Sequence, residues 1–188
     1  SMIRLDQFYG IELLDFPHEV AMLSLWLAEH QMNRKLNENF GVITEALPLK
    51  NITQIVCGNA CRLDWDKVCP HTMDEEVFVF GNPPYLGSKL QSAEQKKDIS
   101  IAFGSLKNSK ILDYISIWFY EASKYIQGTK AQYAFVSTNS ICQGEQVAAL
   151  WPQISKDDVC IDFCYLPFKW SNNAKYNAGV TCVIIGLG

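Results

Sequence analysis

Asn82-Pro83-Pro84-Tyr85 stands directly after the apolar run Val77-Phe78-Val79-Phe80-Gly81. An amide, two residues of fixed φ and a phenol, in that order, can hold a planar amine. The Asn82 side chain offers one carbonyl oxygen and the Pro83 backbone a second. Aimed at the two N–H bonds of an exocyclic amine, they turn its lone pair, otherwise delocalised into the ring, toward an electrophile. Each proline fixes its own φ and pushes the residue before it toward extended geometry, which preorganises the acceptors. Tyr85 adds a face on which a base can stack, a contact of about 1–3 kcal/mol. The plain alternative is a Pro-Pro turn after an edge strand. The position favours the chemical reading, since open α/β sheets place their ligands beyond the carboxyl ends of their strands.

Three other groups could serve the same chemistry. Glu12 closes the strand-like run Phe8-Tyr9-Gly10-Ile11, where a carboxylate can accept from ribose hydroxyls; taken alone it reads more readily as a surface acid. Asn59, followed by Ala60, stands in the same way after the run Ile52 to Cys57 and could read the edge of an adenine ring. Asp64 reads as a turn residue. Phe168-Lys169-Trp170-Ser171-Asn172-Asn173 reads as a loop between two strands. It is either a stacking platform for a base taken out of its duplex or an apolar plug at one end of the sheet.

The elements that must position these groups alternate between strand and helix patterns. Strands are predicted at 8–12, 52–57, 77–80, 133–136, 159–165 and 180–187. Helices are predicted from Pro17 to about Leu36, with Val20, Leu23 and Leu27 at helical spacing, over 111–126 and over 145–154. The stripe Trp118, Phe119 and Tyr125 reads as core. The Lys-rich stretch 85–110 reads as a loop and one helix. No helix fits between the last two strands, so they suit an antiparallel pair ending an otherwise parallel sheet. The expectation is one α/β domain over 1–188.

Composition narrows the classes. The chain has 188 residues, 48% hydrophobic and 19% charged, enough apolar material for a core and too little charge for a disordered chain. No apolar run approaches the ~20 residues of a membrane helix, and no signal-peptide pattern opens the chain, which predicts a soluble cytoplasmic domain. The seven cysteines, 57, 61, 69, 142, 160, 164 and 182, form no CxxC, and with His71 they match no zinc pattern. They read as reduced thiols, mostly in core strands, and no metal is expected. Net charge is −4, yet Lys89, Lys96, Lys97, Lys107 and Lys110 face only Glu94 and Asp98 within residues 85–110. Such an island permits phosphate contacts on an otherwise acidic body, although charge runs are also ordinary solvated surface.

Taken in order, Gly10-Ile11-Glu12, Gly58-Asn59-Ala60, Asn82-Pro83-Pro84-Tyr85 and Phe168 to Trp170 resemble the motifs of amino-methylating DNA methyltransferases that use S-adenosylmethionine. The stretches 5–12, 25–33, 87–96 and 135–141 are more specifically similar to the adenine-N6 methyltransferase region of large single-chain type II restriction–modification enzymes. The resemblance spans essentially the whole chain. It implies a Rossmann-like methyltransferase sheet, mostly parallel with an antiparallel C-terminal strand pair. It also implies Glu12 on the cofactor ribose, Asn59 and Ala60 on its adenine, and Asn82, Pro83, Pro84 and Tyr85 around a flipped adenine of double-stranded DNA. Phe168 or Trp170 would stack from the other side, with Lys89, Lys96 and Lys97 near the phosphates. Asn rather than Ser at the first position of the tetrapeptide favours adenine over cytosine.

One departure from that pattern carries an expectation of its own. The first strand and glycine-rich turn that hold the methionine end of the cofactor are not found before Gly10. The chain therefore reads as a fragment that lacks the usual first strand and the target-recognition part. Alone it is expected to bind cofactor weakly and not to methylate, its open sheet edge closed by rearrangement or self-association. Two other readings use the same residues: methylation of a protein glutamine or an RNA amine, and a non-catalytic DNA-binding module.

Overall fold

The computed structural model describes residues 3–42, 54–104, 106–155, 158–170 and 180–188. They divide into two compact units, 1–70 and 71–188. The architecture is α/β with mixed sheets.

In the first unit, strand β1 (Gly10–Glu12) runs parallel to β2 (Ile55–Cys57), with Glu12 opposite Cys57. Helix α1 (Asp15–Phe40) takes Pro17 in its first turn, as the sequence predicts, where the missing N–H costs nothing. It ends at Gly41, whose φ of 66° needs glycine and whose N–H caps the Asn37 carbonyl. His18 Nε2 lies 3.0 Å from the Ile55 carbonyl and ties the helix to β2. The helically spaced Val20, Leu23 and Leu27 lie on this helix but are 43%, 50% and 51% exposed. Met22, Leu25 and Trp26 are half-buried instead. Apolar residues occupy more than one face of this helix, and two three-residue strands can cover only one narrow strip of it. A short helix, α2 (Trp65–Val68), follows β2.

The second unit is built on a sheet of order β3-β4-β6-β5, from β3 (Phe78–Gly81), β4 (Gln132–Thr138), β5 (Ile161–Lys169) and β6 (Thr181–Leu187). β3 and β4 are parallel, and β6 is antiparallel to both β4 and β5. The predicted C-terminal antiparallel pair is present, but β6 lies inside the sheet, so this sheet is mixed rather than mostly parallel. The reason is burial. The run Cys182-Val183-Ile184-Ile185-Gly186-Leu187 is apolar on both faces and needs cover on both, whereas β5 is exposed along most of its length and suits an edge. Gly186 is required by a close approach, because a Cβ there would collide with the Phe163 ring across the β5–β6 pair.

Helices α3 (Ala93–Phe103), α4 (Ser116–Ile126) and α5 (Gly144–Ile154) complete this unit. Ser92 and Gln95 form a reciprocal capping box at the start of α3. The sequence predicts one helix from residue 111; the structure has a 3-10 turn at Ser109–Ile111 and begins α4 only at Ser116. Asp113 accounts for the break, its carboxylate accepting the Ile115 N–H as a local alternative to helix continuation. Phe119, fully buried, centres the core with its ring 5.9, 5.4 and 6.4 Å from those of Tyr133, Phe135 and Trp151. The Tyr133 hydroxyl, 2.7 Å from Ser123 Oγ, is satisfied inside this core, and burial pushes its pKa upward.

β3 pairs only with β4 among the described residues, so no rearrangement closes its outer edge there, and Phe78 and Phe80 are 64% and 82% exposed. The cysteines need a further correction. Cys61 and Cys182 are buried, but Cys57, Cys142, Cys160 and Cys164 are exposed, since two of them lie at or beside the edge strand β5. No helix among the described residues is long and apolar enough to cross a membrane.

Candidate functional site

In the first unit, the carboxyl ends of β1 and β2 bring Glu12 beside Gly58 and Asn59. The Gly58 N–H donates to the Glu12 carbonyl at 2.8 Å, continuing the parallel ladder one residue past the strands. Glu12 is half-buried. One oxygen accepts the Leu13 N–H at 2.9 Å, and no described residue donates to the other. A carboxylate oxygen without a donor at a strand end can accept from a ligand hydroxyl. Asn59 Oδ1 accepts the Cys61 N–H at 2.9 Å, closing an Asx turn, while its carbonyl accepts from Arg62 and Leu63. The Ala60 carbonyl accepts from Trp65 Nε1 at 2.9 Å, which holds the same turn from below. Glu12, Asn59 and Ala60 are thus gathered at one strand end on rigid backbone.

In the second unit, Asn82 to Tyr85 leave the carboxyl end of β3, where Gly81 is still paired with Phe135. Asn82 is exposed and Pro83 buried, Pro84 is exposed and Tyr85 half-buried. No described residue donates to the Asn82 amide oxygen or to the Pro83 carbonyl, so neither acceptor is committed to a partner among the described residues. Burial, and next the nearby Cys182 thiol, push the Tyr85 pKa upward.

Phe168 lies directly across from Cys182 in the β5–β6 ladder. Cys182 therefore neighbours both Phe168, its ladder partner, and Tyr85. Phe168 and Lys169 belong to strand β5 rather than to a loop, and this is a correction of the sequence expectation; Ser171 to Asn173 lie outside the described residues. Trp170 continues the strand, donating its backbone N–H to Val180 at 3.0 Å, with its ring 6.5 Å from that of Phe168. Lys89, Lys96 and Lys97 are exposed, and none forms an ion pair with a described residue.

The sequence reading passed over Cys182, Gln91 and Asp113. Cys182 carries no local signal, because only the strand register brings it to Tyr85. Asp113 did carry one: an Asp just ahead of a helical pattern is a start signal, masked here by Ile111 fitting the same periodicity.

Comparison with known proteins agrees with this arrangement. The family model described as the MmeI DNA-methyltransferase domain matches residues 1–188. The chain is 56% identical over 187 residues to DNA methyltransferase A of Bacillus subtilis (strain 168), a match covering 99% of this chain and 21% of that protein. It also matches a chain from the structure of the type IIL restriction–modification enzyme MmeI in complex with DNA. That match has a TM-score of 0.90 and 42% identity, over 99% of this chain and 25% of the other. The chain thus spans a fifth to a quarter of these two relatives. With its whole length inside one family model and the same fold at high identity, the chain belongs to the MmeI DNA-methyltransferase domain family.

Proposed function

We propose that this chain is the catalytic part of a longer restriction–modification enzyme that methylates adenine N6 in double-stranded DNA with S-adenosylmethionine. The observation that carries the reading is a pair of acceptors with no donor among the described residues, Asn82 Oδ1 and the Pro83 carbonyl, at the end of β3 and followed by the half-buried Tyr85. They accept the two N–H bonds of the flipped adenine's amine and aim its lone pair. Tyr85 stacks on the base, and Phe168 is favoured over Trp170 for the opposite face because it shares Cys182 with Tyr85. Glu12 takes ribose hydroxyls through its open oxygen, Asn59 and Ala60 border the cofactor adenine, and Lys89, Lys96 and Lys97 meet phosphates.

S-adenosylmethionine, when bound, supplies a methyl group on a positively charged sulfur. Because that electrophile is already charged, the protein needs no strong side-chain base; its work is orientation and exclusion of water. The rest of the longer polypeptide supplies target recognition and the methionine end of the cofactor site. The isolated chain is accordingly inactive and self-associates through the outer edge of β3.

The test uses the intact polypeptide with DNA and isotope-labelled S-adenosylmethionine, followed by nucleoside analysis. N6-methyladenine is the expected product. Label in N4-methylcytosine, in protein or in RNA overturns the assignment, and salt-sensitive DNA binding with no transfer at all favours a non-catalytic module. Calorimetry on the isolated chain is expected to give no tight cofactor binding; a dissociation constant of about 1 μM or below, near −8 kcal/mol, contradicts the fragment reading. Sedimentation of the isolated chain is expected to show concentration-dependent association, and a monomer at every concentration contradicts the edge proposal.

A further inference from the structure

Leu86, the residue immediately after the tetrapeptide, has both of its backbone polar groups tied. Its N–H donates to Asp113 Oδ1 at 2.8 Å. Its carbonyl accepts the Tyr114 N–H at 3.0 Å and Gln91 Nε2 at 2.9 Å. Each partner is itself held. Asp113 Oδ1 also accepts the Ile115 N–H at 3.3 Å, and the Asp113 N–H donates to Gln146 Oε1 on α5 at 3.1 Å. Gln91 Nε2 also donates to the Leu112 carbonyl at 3.0 Å, and the Tyr114 hydroxyl to the buried Asp98 on α3 at 2.8 Å. Gln91, Asp98 and Asp113 are 6%, 2% and 6% exposed.

Burying a carboxylate and an amide is costly unless they are hydrogen-bonded, and here their bonds join Leu86 to Leu112 and to the Ile115 N–H before α4. What they accomplish is local. The four residues 82–85 are suspended between two fixed points, the Gly81–Phe135 strand pair at their entry and the Leu86 brace at their exit. With two prolines inside that span, little freedom is left to the Asn82 and Pro83 oxygens.

Resting on the methyl-transfer reading above, we infer that Asp113 and Gln91 are positioning residues that fix the amine-holding tetrapeptide through Leu86. They touch neither substrate nor cofactor. Their contribution is to hold the acceptors at the reacting geometry, and so it falls on turnover rather than on binding.

In the intact enzyme, Asp113→Ala is expected to lower kcat by about ten- to a hundredfold, the scale of a small misplacement at a reacting centre. KM for DNA and for S-adenosylmethionine is expected to stay unchanged. Asp113→Asn keeps an oxygen acceptor for Leu86 and is expected to retain most of the turnover. Gln91→Met removes both donors at similar volume and is expected to lower kcat in the same way, which keeps the test open if Asp113→Ala does not fold. In the isolated chain, Leu86 amide exchange is expected to speed up in Asp113→Ala and stay near the parent rate in Asp113→Asn. An unchanged kcat in either folded variant overturns the inference. So do a loss in Asp113→Asn equal to that in Asp113→Ala, faster exchange spread evenly over α3 and α4, or the failure of both Asp113→Ala and Gln91→Met to fold. The two readings fail separately. An inactive Asn82→Ala beside a fully active Asp113→Ala removes the brace alone, whereas a fully active Asn82→Ala removes the methyl-transfer reading.

Discussion

Asn82→Ala in the intact enzyme is expected to abolish measurable methyl transfer while leaving the affinity for S-adenosylmethionine near that of the parent. The side chain is exposed and no described residue donates to its amide oxygen, so its removal leaves no buried group unpaired and no cavity. The fold should therefore survive, and the loss should fall on chemistry. Removing one pre-aimed hydrogen-bonding group at an active site costs about 10²–10³ in kcat. In the proposed mechanism the oxygen is one of only two that orient the amine, so the upper end is expected. Glu12 and Asn59, the residues proposed for the cofactor, gather at the ends of β1 and β2, on a different unit from Asn82. The measurement is single-turnover methylation beside calorimetric cofactor binding, on the same preparation. Parallel loss of binding and turnover would show that Asn82 supports the cofactor site instead of the amine.

The second large effect concerns stability. Phe119→Ala is expected to destabilise the protein by about 3–5 kcal/mol, read as a lowered denaturant midpoint. Phe119 is fully buried on α4, and its ring meets Tyr133, Phe135 and Trp151 edge-on or tilted. Three large rings from one strand and one helix cannot collapse into the space one phenyl leaves, because two of them are themselves anchored. Tyr133 is held by Ser123 through its hydroxyl, and Trp151 donates its indole N–H to the Ile141 carbonyl at 2.9 Å. A loss this size is a large part of a domain's net stability. By contrast Asp74→Ala, which removes an exposed ion pair with Lys130, is expected to leave the midpoint unchanged. A small effect of Phe119→Ala would mean that the core around it relaxes freely.

The local features of the chain were legible because each rests on chemistry within a few residues. Pro17 in a first turn, the apolar stripe through Phe119, the amphipathic run ending at Ile154 and the apolar strand ending at Leu187 all follow from periodicity and backbone restriction. The tetrapeptide at 82–85 stood out for the same reason, since its residue types restrict their own backbone. What misled was periodicity without a partner. Val20, Leu23 and Leu27 have helical spacing, but spacing does not say whether anything covers them, and the described residues leave them exposed. Ile111 fitted the same period as α4, yet the Asp113 carboxylate ended that helix pattern with one hydrogen bond.

By itself the sequence determined which segments form strands and helices and which short motifs could hold a cofactor and an amine, because those properties depend on neighbouring residues. Only the tertiary structure decided that β6 enters the sheet between β4 and β5, that Phe168 lies on a strand opposite Cys182, and that Asp113 and Gln91 reach Leu86. Those contacts join residues far apart in the chain. They arise from the need to bury an apolar strand on both faces and to satisfy every buried polar group, and no spacing along the sequence encodes either requirement.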